Sequence, residues 1–272
     1  MKTKQLWFGR FYMLLVLLII VSFLFPFFWM ILASFKTQVQ IMSTGSILLF
    51  KPTLNNYLSV FEEHNFTKFI MNSFIVGFFS TLFGLLLGLP AAYSIAKYKQ
   101  HGLGLLILIA RIIPGISFMI PWFIIFSKIG LVDSYTSLIL GHMLVGMPFI
   151  IWVMISFYEG LPGELEEAAR VDGCTIQGAF LRIMLPLSMP GVVTASILSF
   201  IFSWNNFMFS LVLSGDKTKT LPIAVFNFLS YSEINWGGLM AAAVIITMPI
   251  LIIALVLQRY IISGVTMGAV KG

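Results

Sequence analysis

Six long apolar runs restrict the fold of this chain more than any other feature of its sequence. They lie at roughly residues 11–33, 70–96, 103–127, 137–158, 188–213 and 241–262. Each is long enough to cross a bilayer as a helix, which needs about 20 residues. Inside a bilayer every backbone polar group must be satisfied by the protein, and a helix does this within each run. The sequence therefore predicts an all-α integral membrane protein with six transmembrane helices.

The composition of the chain excludes a water-soluble fold. Of its 272 residues, 59% are hydrophobic and 10% are charged, whereas a soluble domain has about 25% charged residues. So little polar surface could not cover a globule of this size. The formal net charge is +6, and the basic residues cluster at the ends of the runs, as the positive-inside rule describes. Nucleic-acid binding is therefore not expected.

The first apolar run follows Lys2, Lys4 and Arg10 and so invites comparison with a signal peptide. It is longer than the apolar core of a signal peptide, which has about 7–15 residues. Its length favours a first span that is retained, while Leu32-Ala33-Ser34, which weakly resembles a cleavage site, keeps cleavage open as an alternative. Placing the N-terminus inside gives the inner segments more Lys and Arg than the outer ones, which predicts that both termini are cytoplasmic.

No metal, disulfide or catalytic site is predicted. Cys174 is the only cysteine, and His64, His101 and His142 lie far apart in the chain, without a spacing typical of metal ligands. No Asp or Glu lies deep within any apolar run; Asp133 and Glu159 stand at run ends. This pattern argues against an ion-coupled secondary transporter, which usually has intramembrane acids.

A polar segment between the fourth and fifth runs, here named the Glu/Ala loop (residues 159–187), predicts two short helices. Pro162-Gly163 precedes the first, and three glutamates occupy its first turn, where the helix dipole favours negative charge. Gly173 stands where a left-handed C-terminal cap is expected. A helix lying on the lipid surface is the alternative, but it would carry Lys and Arg where this segment begins with acids.

The second helix of the Glu/Ala loop is expected to begin with Thr175 as its cap and to run from Ile176 to about Met184, ending before Pro186. On the first helix, four residues at helical spacing share one face: Leu165, Ala168, Ala169 and Asp172. The small residues of that face allow a close approach by another backbone.

The spacing Glu167-Ala168-Ala169, Gly173 and Ile183-x-Leu185-Pro186 resembles the cytoplasmic "EAA" loop of permease subunits from binding-protein-dependent ABC importers. The resemblance implies the type I importer permease fold and a loop that docks on a separate ATPase, whose closure moves the spans. The residues it assigns to ATPase coupling are Glu167, Ala168, Ala169, Arg170, Asp172, Gly173, Ile183, Leu185 and Pro186.

The chain has no G-x-x-x-x-G-K-[ST] phosphate-binding loop. A non-catalytic transport subunit without a bound cofactor is therefore expected, with ATP and magnesium bound by the partner ATPase.

Further motifs resemble the smaller permease of maltose-type carbohydrate importers. They are Asn72-Ser73-Phe74, Trp204-Asn205-Asn206-Phe207, Thr220-Leu221-Pro222, Trp236-Gly237 and the C-terminal segment 264–272. The resemblance implies a second permease, two ATPases, an external sugar-binding protein and a prokaryotic inner membrane. It also implies that residues 214–236 face the binding protein. The expected division is an N-terminal span with an external loop (1–69), a transmembrane domain (70–262) and a cytoplasmic tail (263–272).

Several polar residues near or within the runs have two interpretations. Asn72, Trp204, Asn205 and Asn206 are candidates for the translocation path, and the alternative is that the asparagines hold helices together. Arg111 either extends to the inner headgroups or pairs with an acid of a partner. A sugar is the expected cargo; a polyol, a sugar phosphate or another small solute stays an alternative within the same class of importer.

Overall fold

The computed structural model describes residues 2–63, 65–226, 228–229 and 234–267. Within these ranges the regular elements are helical, apart from an isolated bridge between Leu229 and Ile234. The helices long and apolar enough to cross a membrane are Phe11–Ser34, Phe66–Lys97, Tyr135–Glu159 and Trp236–Gln258. Two bent helix pairs bring the count among the described residues to 6 if each pair is one span. The all-α, six-span prediction is confirmed.

The chain divides into two compact units, of which the first comprises residues 1–66 and 225–248. Its helices are α1 (Lys2–Ser34), α2 (Gln38–Met42) and α3 (Asn55–Glu62). The segment after α1 is thus more ordered than the plain polar loop expected there. Its capping box explains α2, because the hydroxyl of Thr37 accepts from the Gln40 N–H while the Gln40 side chain accepts from the Thr37 N–H.

Long-range hydrogen bonds hold the first unit together. The amide of Asn56 donates to the carbonyls of Ser34 and Lys36, at 2.8 Å each. The amide of Gln38 donates to the Ile234 carbonyl at 2.8 Å and accepts from the Trp236 N–H at 3.0 Å. Both side chains thereby satisfy backbone groups that no helix satisfies.

The second unit comprises residues 67–224 and 249–272. Its first helices are α4 (Phe66–Lys97), α5 (His101–Ile112), α6 (Ile116–Lys128) and α7 (Tyr135–Glu159). The third apolar run was expected to be one straight span, but it bends by 89° between α5 and α6. Pro114 explains the break, since proline has no N–H to donate and disfavours a helical residue before it.

The Glu/Ala loop adds α8 (Glu164–Val171), α9 (Ile176–Ala179) and α10 (Leu185–Leu187). After it come α11 (Met189–Trp204), α12 (Met208–Leu213), α13 (Leu221–Phe226) and α14 (Trp236–Met267). The last helix extends beyond the sixth apolar run at both ends. Of the expected C-terminal tail, residues 268–272 lie outside the described residues.

The fifth apolar run, expected to be one span over residues 188–213, is two helices. Helix α11 ends at Trp204, and α12 begins at Met208. Two asparagines explain the break. The Asn205 amide donates to the Ile201 carbonyl at 3.1 Å, and the Asn206 side chain accepts from the Phe209 N–H at 3.0 Å. Side chains that bond nearby backbone in this way favour helix ends over helix interiors.

Glycines allow the helices of the second unit to approach closely. A Cβ at Gly146 of α7 would lie 2.8 Å from the hydroxyl of Ser199 on α11. A Cβ at Gly88 of α4 would lie 3.1 Å from Ile150 on α7. Small residues play this role in membrane helix packing, so these two glycines act as packing positions.

Candidate functional site

The first helix of the Glu/Ala loop forms as its sequence indicates. Gly163 is the N-cap of α8, and all three acids expected in its first turn are there: Glu164, Glu166 and Glu167. Gly173 has a φ of +89°, the left-handed conformation expected of a C-terminal cap. Nothing lies within 4 Å of the position that a Cβ on Gly173 would occupy. The backbone conformation rather than crowding therefore requires this glycine.

The second helical segment begins as predicted and ends differently. The hydroxyl of Thr175 accepts from the Gly178 N–H at 3.1 Å and so caps α9. The segment then widens into a π-helix, Phe180–Met184, and continues through Pro186 in α10 instead of stopping before it. Proline is tolerated in the first turn of a helical piece, where its missing N–H is not needed.

The two faces of α8 have different environments. Ala169 and Glu166 are buried, whereas Leu165, Ala168 and Asp172 are exposed. The shared face predicted from spacing is thus mostly open. Val171, at the end of α8, is 87% exposed. A short, capped helix with an acidic start, small residues and an exposed apolar tip is a surface suited to a protein partner.

Glu166 attaches α8 to the last residue of α4. Its carboxylate accepts a hydrogen bond from the Lys97 ammonium, and the side chains are 11% and 18% exposed. Burial raises the pKa of the Glu166 carboxyl. The hydrogen bond from Lys97 and the charges of Lys97 and Arg170 outweigh this effect, so the pKa lies below its ordinary value. Glu166 is therefore ionised at neutral pH and forms a true ion pair.

An aromatic cluster attaches the second half of the Glu/Ala loop to α4 and α7. The rings of Tyr93 and Phe180 lie 4.8 Å apart, and that of Tyr158 lies 5.6 Å from Tyr93. Each ring comes from a different segment: α4, the π-helix and α7. Such ring pairs stabilise a contact by about 0.5–1.5 kcal/mol beyond the area they bury.

A cavity of 740 Å³ lies beside these contacts. Its lining includes Lys97, Glu166 and Arg170 as well as His101 and Glu159, whose Nδ1 and Oε1 atoms are 3.5 Å apart. Helix α8 is therefore not packed against the spans along its whole length, and its link to α4 is a local one.

At the other end of α4, one carboxylate organises a second loop, here named the clamped loop (residues 214–221). The Asp133 side chain accepts from the N–H groups of Gly215, Lys217 and Thr218 at 2.8, 3.2 and 3.0 Å. It also accepts from the Thr218 hydroxyl at 2.7 Å. Burial raises the pKa of Asp133, but these four hydrogen bonds outweigh it and hold the pKa below its ordinary value.

The start of α4 also bonds to the clamped loop. The Asn72 amide donates to the carbonyls of Lys217 and Lys219 at 3.1 and 2.9 Å and accepts from the Tyr135 hydroxyl at 2.7 Å. The hydroxyl of Ser73 accepts from the Leu221 N–H at 2.7 Å. Asn72 is only 2% exposed. These contacts fix the second half of the clamped loop to the start of α4.

Residues 84–267 match the family described as the binding-protein-dependent transport system inner membrane component. The chain belongs to this family. It is 36% identical over 255 residues to the trehalose transport system permease protein SugB of Mycobacterium tuberculosis, covering 92% of this chain and 93% of that protein. It is 35% identical over 257 residues to the trehalose/maltose transport system permease protein MalG of Thermococcus litoralis, covering 92% of each.

A solved structure supports the fold of this permease. A chain of a bacterial ABC transporter involved in the import of the acidic polysaccharide alginate matches with a TM-score of 0.79 at 20% identity. The match covers 93% of the permease and 96% of that chain. The type I importer permease fold expected from the sequence is confirmed, and the protein is a multi-pass membrane protein.

Each of the four residues proposed for the translocation path has a contact within the permease itself. Asn72 holds the clamped loop, while Asn205 and Asn206 bond to backbone at the break between α11 and α12. Trp204 is buried, with its ring 5.8 Å from that of Phe200. Their structural roles are visible; a role in the path stays a prediction.

Arg111 has an environment that its sequence position did not reveal. It lies in the last turn of α5, at the bend before α6. Its guanidinium carbon is 4.5 Å from the centre of the Phe149 ring and 5.6 Å from that of Phe202. Two aromatic faces stabilise a cation by electrostatic attraction. The permease thus supplies its own support for this charge.

Two further residues matter to these sites and were not selected from the sequence. In the sequence, Lys97 is one of several basic residues at the ends of the apolar runs, and Asp133 is an acid at a run end. Lys97 is separated from Glu166 by 69 residues, and Asp133 from Gly215 by 82. The opposite charges of Lys97 and Glu166 are compatible with an ion pair, but they do not specify that these two residues pair. No sequence pattern indicates the contact between Asp133 and Gly215.

Proposed function

We propose that this permease is one of two transmembrane subunits of an ATP-driven importer of oligosaccharides or related sugars. It forms half of the translocation pathway and couples to a separate ATPase through the Glu/Ala loop. The observation that best supports this proposal is the similarity, over more than nine-tenths of the chain, to permeases named for trehalose and maltose transport. Because the match includes nearly the whole length of each relative, it extends to the architecture as well as to the loop.

The surface of α8 supports the coupling role. Glu167 and the small residues after it lie on a short helix that ends at the left-handed turn of Gly173, and most of that helix is open to a partner. A preorganised element of this kind binds without a large cost in ordering. The coupling residues proposed from the sequence stay a prediction: Glu167, Ala168, Ala169, Arg170, Asp172, Gly173, Ile183, Leu185 and Pro186.

The partners follow from the same proposal. They are a second permease, two ATPase subunits that bind ATP and magnesium, and an external sugar-binding protein. This chain is then non-catalytic and binds no cofactor. It lies in a prokaryotic plasma membrane with both termini in the cytoplasm, so that the Glu/Ala loop faces the ATPase and the clamped loop faces outward.

The test begins with purification of the tagged permease from its native membrane in mild detergent and identification of its partners by mass spectrometry. Recovery of a second permease and an ATPase is the expected result. The complex is then reconstituted in liposomes with its binding protein, and uptake of trehalose, maltose and arabinose oligomers is compared with uptake of a polyol and a sugar phosphate.

Each outcome of this test distinguishes between a sugar importer, an importer of another solute and a secondary transporter. ATP-dependent uptake of an oligosaccharide supports the proposal. ATP-dependent uptake of the polyol or sugar phosphate alone would keep the importer and replace its cargo. Uptake by the isolated chain without ATP would overturn the proposal in favour of a secondary transporter.

A further inference from the structure

Both halves of the Glu/Ala loop contact the C-terminal end of α4, and the second half also contacts Tyr158 of α7. Glu166 of α8 bonds to Lys97, and Phe180 of the π-helix packs on Tyr93. Tyr93 and Lys97 are four residues apart and therefore lie on one face of α4, one turn from each other. Two contacts that are far apart in the loop thus converge on a single receiving surface.

The neighbouring acids of α8 have separate environments. Glu166 is buried and bonded to Lys97, whereas Glu167 is exposed. One acid therefore faces the spans, and the next faces outward, where a partner can reach it. The sequence shows only a cluster of acids in one helical turn.

The ion pair carries more of the attachment of α8 than an ordinary surface pair would. The cavity of 740 Å³ leaves α8 without continuous packing against the ends of the spans. Lys97 also lies over two aromatic rings, 5.7 Å from the centre of Tyr93 and 5.5 Å from that of Tyr98. Its ammonium is thereby held in place to meet the carboxylate, at low entropic cost.

We infer that Lys97 and Glu166 form a positioning pair that transmits movement of the Glu/Ala loop to α4, the second span. The inference rests on the proposed function, because it concerns how a docked ATPase moves the permease. The pair holds α8 to α4 while Phe180 and Tyr93 hold the second half of the loop to the same turn. When the loop moves, α4 moves with it, and the transport of solute follows the hydrolysis of ATP.

The experiment compares variants of the whole reconstituted complex. Lys97→Gln and Glu166→Gln each remove one charge, and the double variant Lys97→Glu/Glu166→Lys restores the pair with its signs exchanged. Lys99→Gln is the matched control, since it removes a neighbouring lysine charge and leaves the pair intact. The measurements are recovery of the ATPase with the permease, ATP hydrolysis, and solute transported per ATP hydrolysed.

The single variants are expected to lower transport per ATP by about fivefold or more, the usual range of coupling between sites. Lys99→Gln is expected to have no effect. The exchanged pair is expected to recover about half of the loss, because Glu at the end of α4 and Lys at the start of α8 oppose the two helix dipoles. If the single variants also lower the amount of ATPase that copurifies with the permease, the exchanged pair should recover about half of that loss as well.

Two results would overturn the inference. One is unchanged transport per ATP in both single variants; the other is a loss that the exchanged pair does not reduce, at equal amounts of folded permease in the membrane. A wild-type complex that shows no ATP-driven uptake would instead contradict the proposed function. The variants therefore test the role of the ion pair, and the wild-type complex tests the proposed function.

Discussion

The two loops at opposite ends of α4 are built in contrasting ways. The clamped loop is held by Asp133, Asn72 and Ser73 through hydrogen bonds to its backbone. The Glu/Ala loop is held by the Thr175 cap, one ion pair and one aromatic cluster, and much of α8 is exposed. The many hydrogen bonds to its backbone hold the clamped loop in one conformation. Sparse attachment leaves the second free to engage a partner and to move with it.

The contrast predicts that changes in the Glu/Ala loop lower coupling, whereas changes at the clamped loop lower stability. The largest effect is expected for Gly173→Pro. Gly173 has a φ of +89°, which proline at about −65° cannot adopt, so the turn between the two loop helices is lost. Recovery of the ATPase with the permease should fall about 100-fold, measured by quantitative copurification.

Gly173→Asn is the control for this change. Asparagine tolerates the left-handed conformation, and its side chain meets no atom within 4 Å at Cβ. Nearly normal recovery of the ATPase is expected. Equal loss in both variants would mean that the glycine is needed for contact with a partner and not for the turn.

The next largest effect is expected for Asp133→Ala. It leaves the N–H groups of Gly215, Lys217 and Thr218 without their acceptor. The free energy of unfolding should fall by about 2 kcal/mol and the thermal midpoint in detergent by about 5 °C. Asp216→Ala, in the same loop, removes a carboxylate that is not the clamp and should leave the midpoint unchanged. If both variants melt alike, the Asp133 bonds contribute little.

A smaller effect is expected for Glu167→Lys, which places a positive charge on the exposed side of α8. The affinity for the ATPase should fall about tenfold, or about 1.4 kcal/mol, with no change in the thermal midpoint. Titration of the detergent-solubilised permease with purified ATPase measures this. Glu62→Lys, an equal charge change on α3, should bind normally; weakened binding in that variant would point to a general effect of charge.

The smallest effect concerns pH. The pKa of Asp133 is lowered in the folded permease, so its contribution is fully present above the pKa of an unfolded aspartate, about 3.9. It is lost as the pH falls through the lowered folded value. Asp133→Asn should therefore melt below wild type at pH 6 and approach it towards pH 3. A constant difference across this range would show that Asp133 does not titrate as its bonds require.

The boundaries of the helices show how far sequence patterns reach. The second and fourth apolar runs became α4 and α7 within a few residues, because a long apolar run can satisfy its backbone only as a helix. The fifth run breaks after Trp204, because the Asn206 side chain accepts from the Phe209 N–H at the start of α12, within an apolar stretch. Apolar length alone does not distinguish a continuous span from two helices joined at a capped break.

The sequence by itself determined the six apolar runs, the two-helix form of the Glu/Ala loop and the caps at Gly173 and Thr175. These depend on residues within about four positions of one another, and at that spacing helix geometry determines which residues contact each other. Only the tertiary structure decided that Glu166 pairs with Lys97 and that Asp133 holds the clamped loop. Those partners lie 69 and 82 residues apart, and packing of the helices, which no local pattern specifies, brings them into contact.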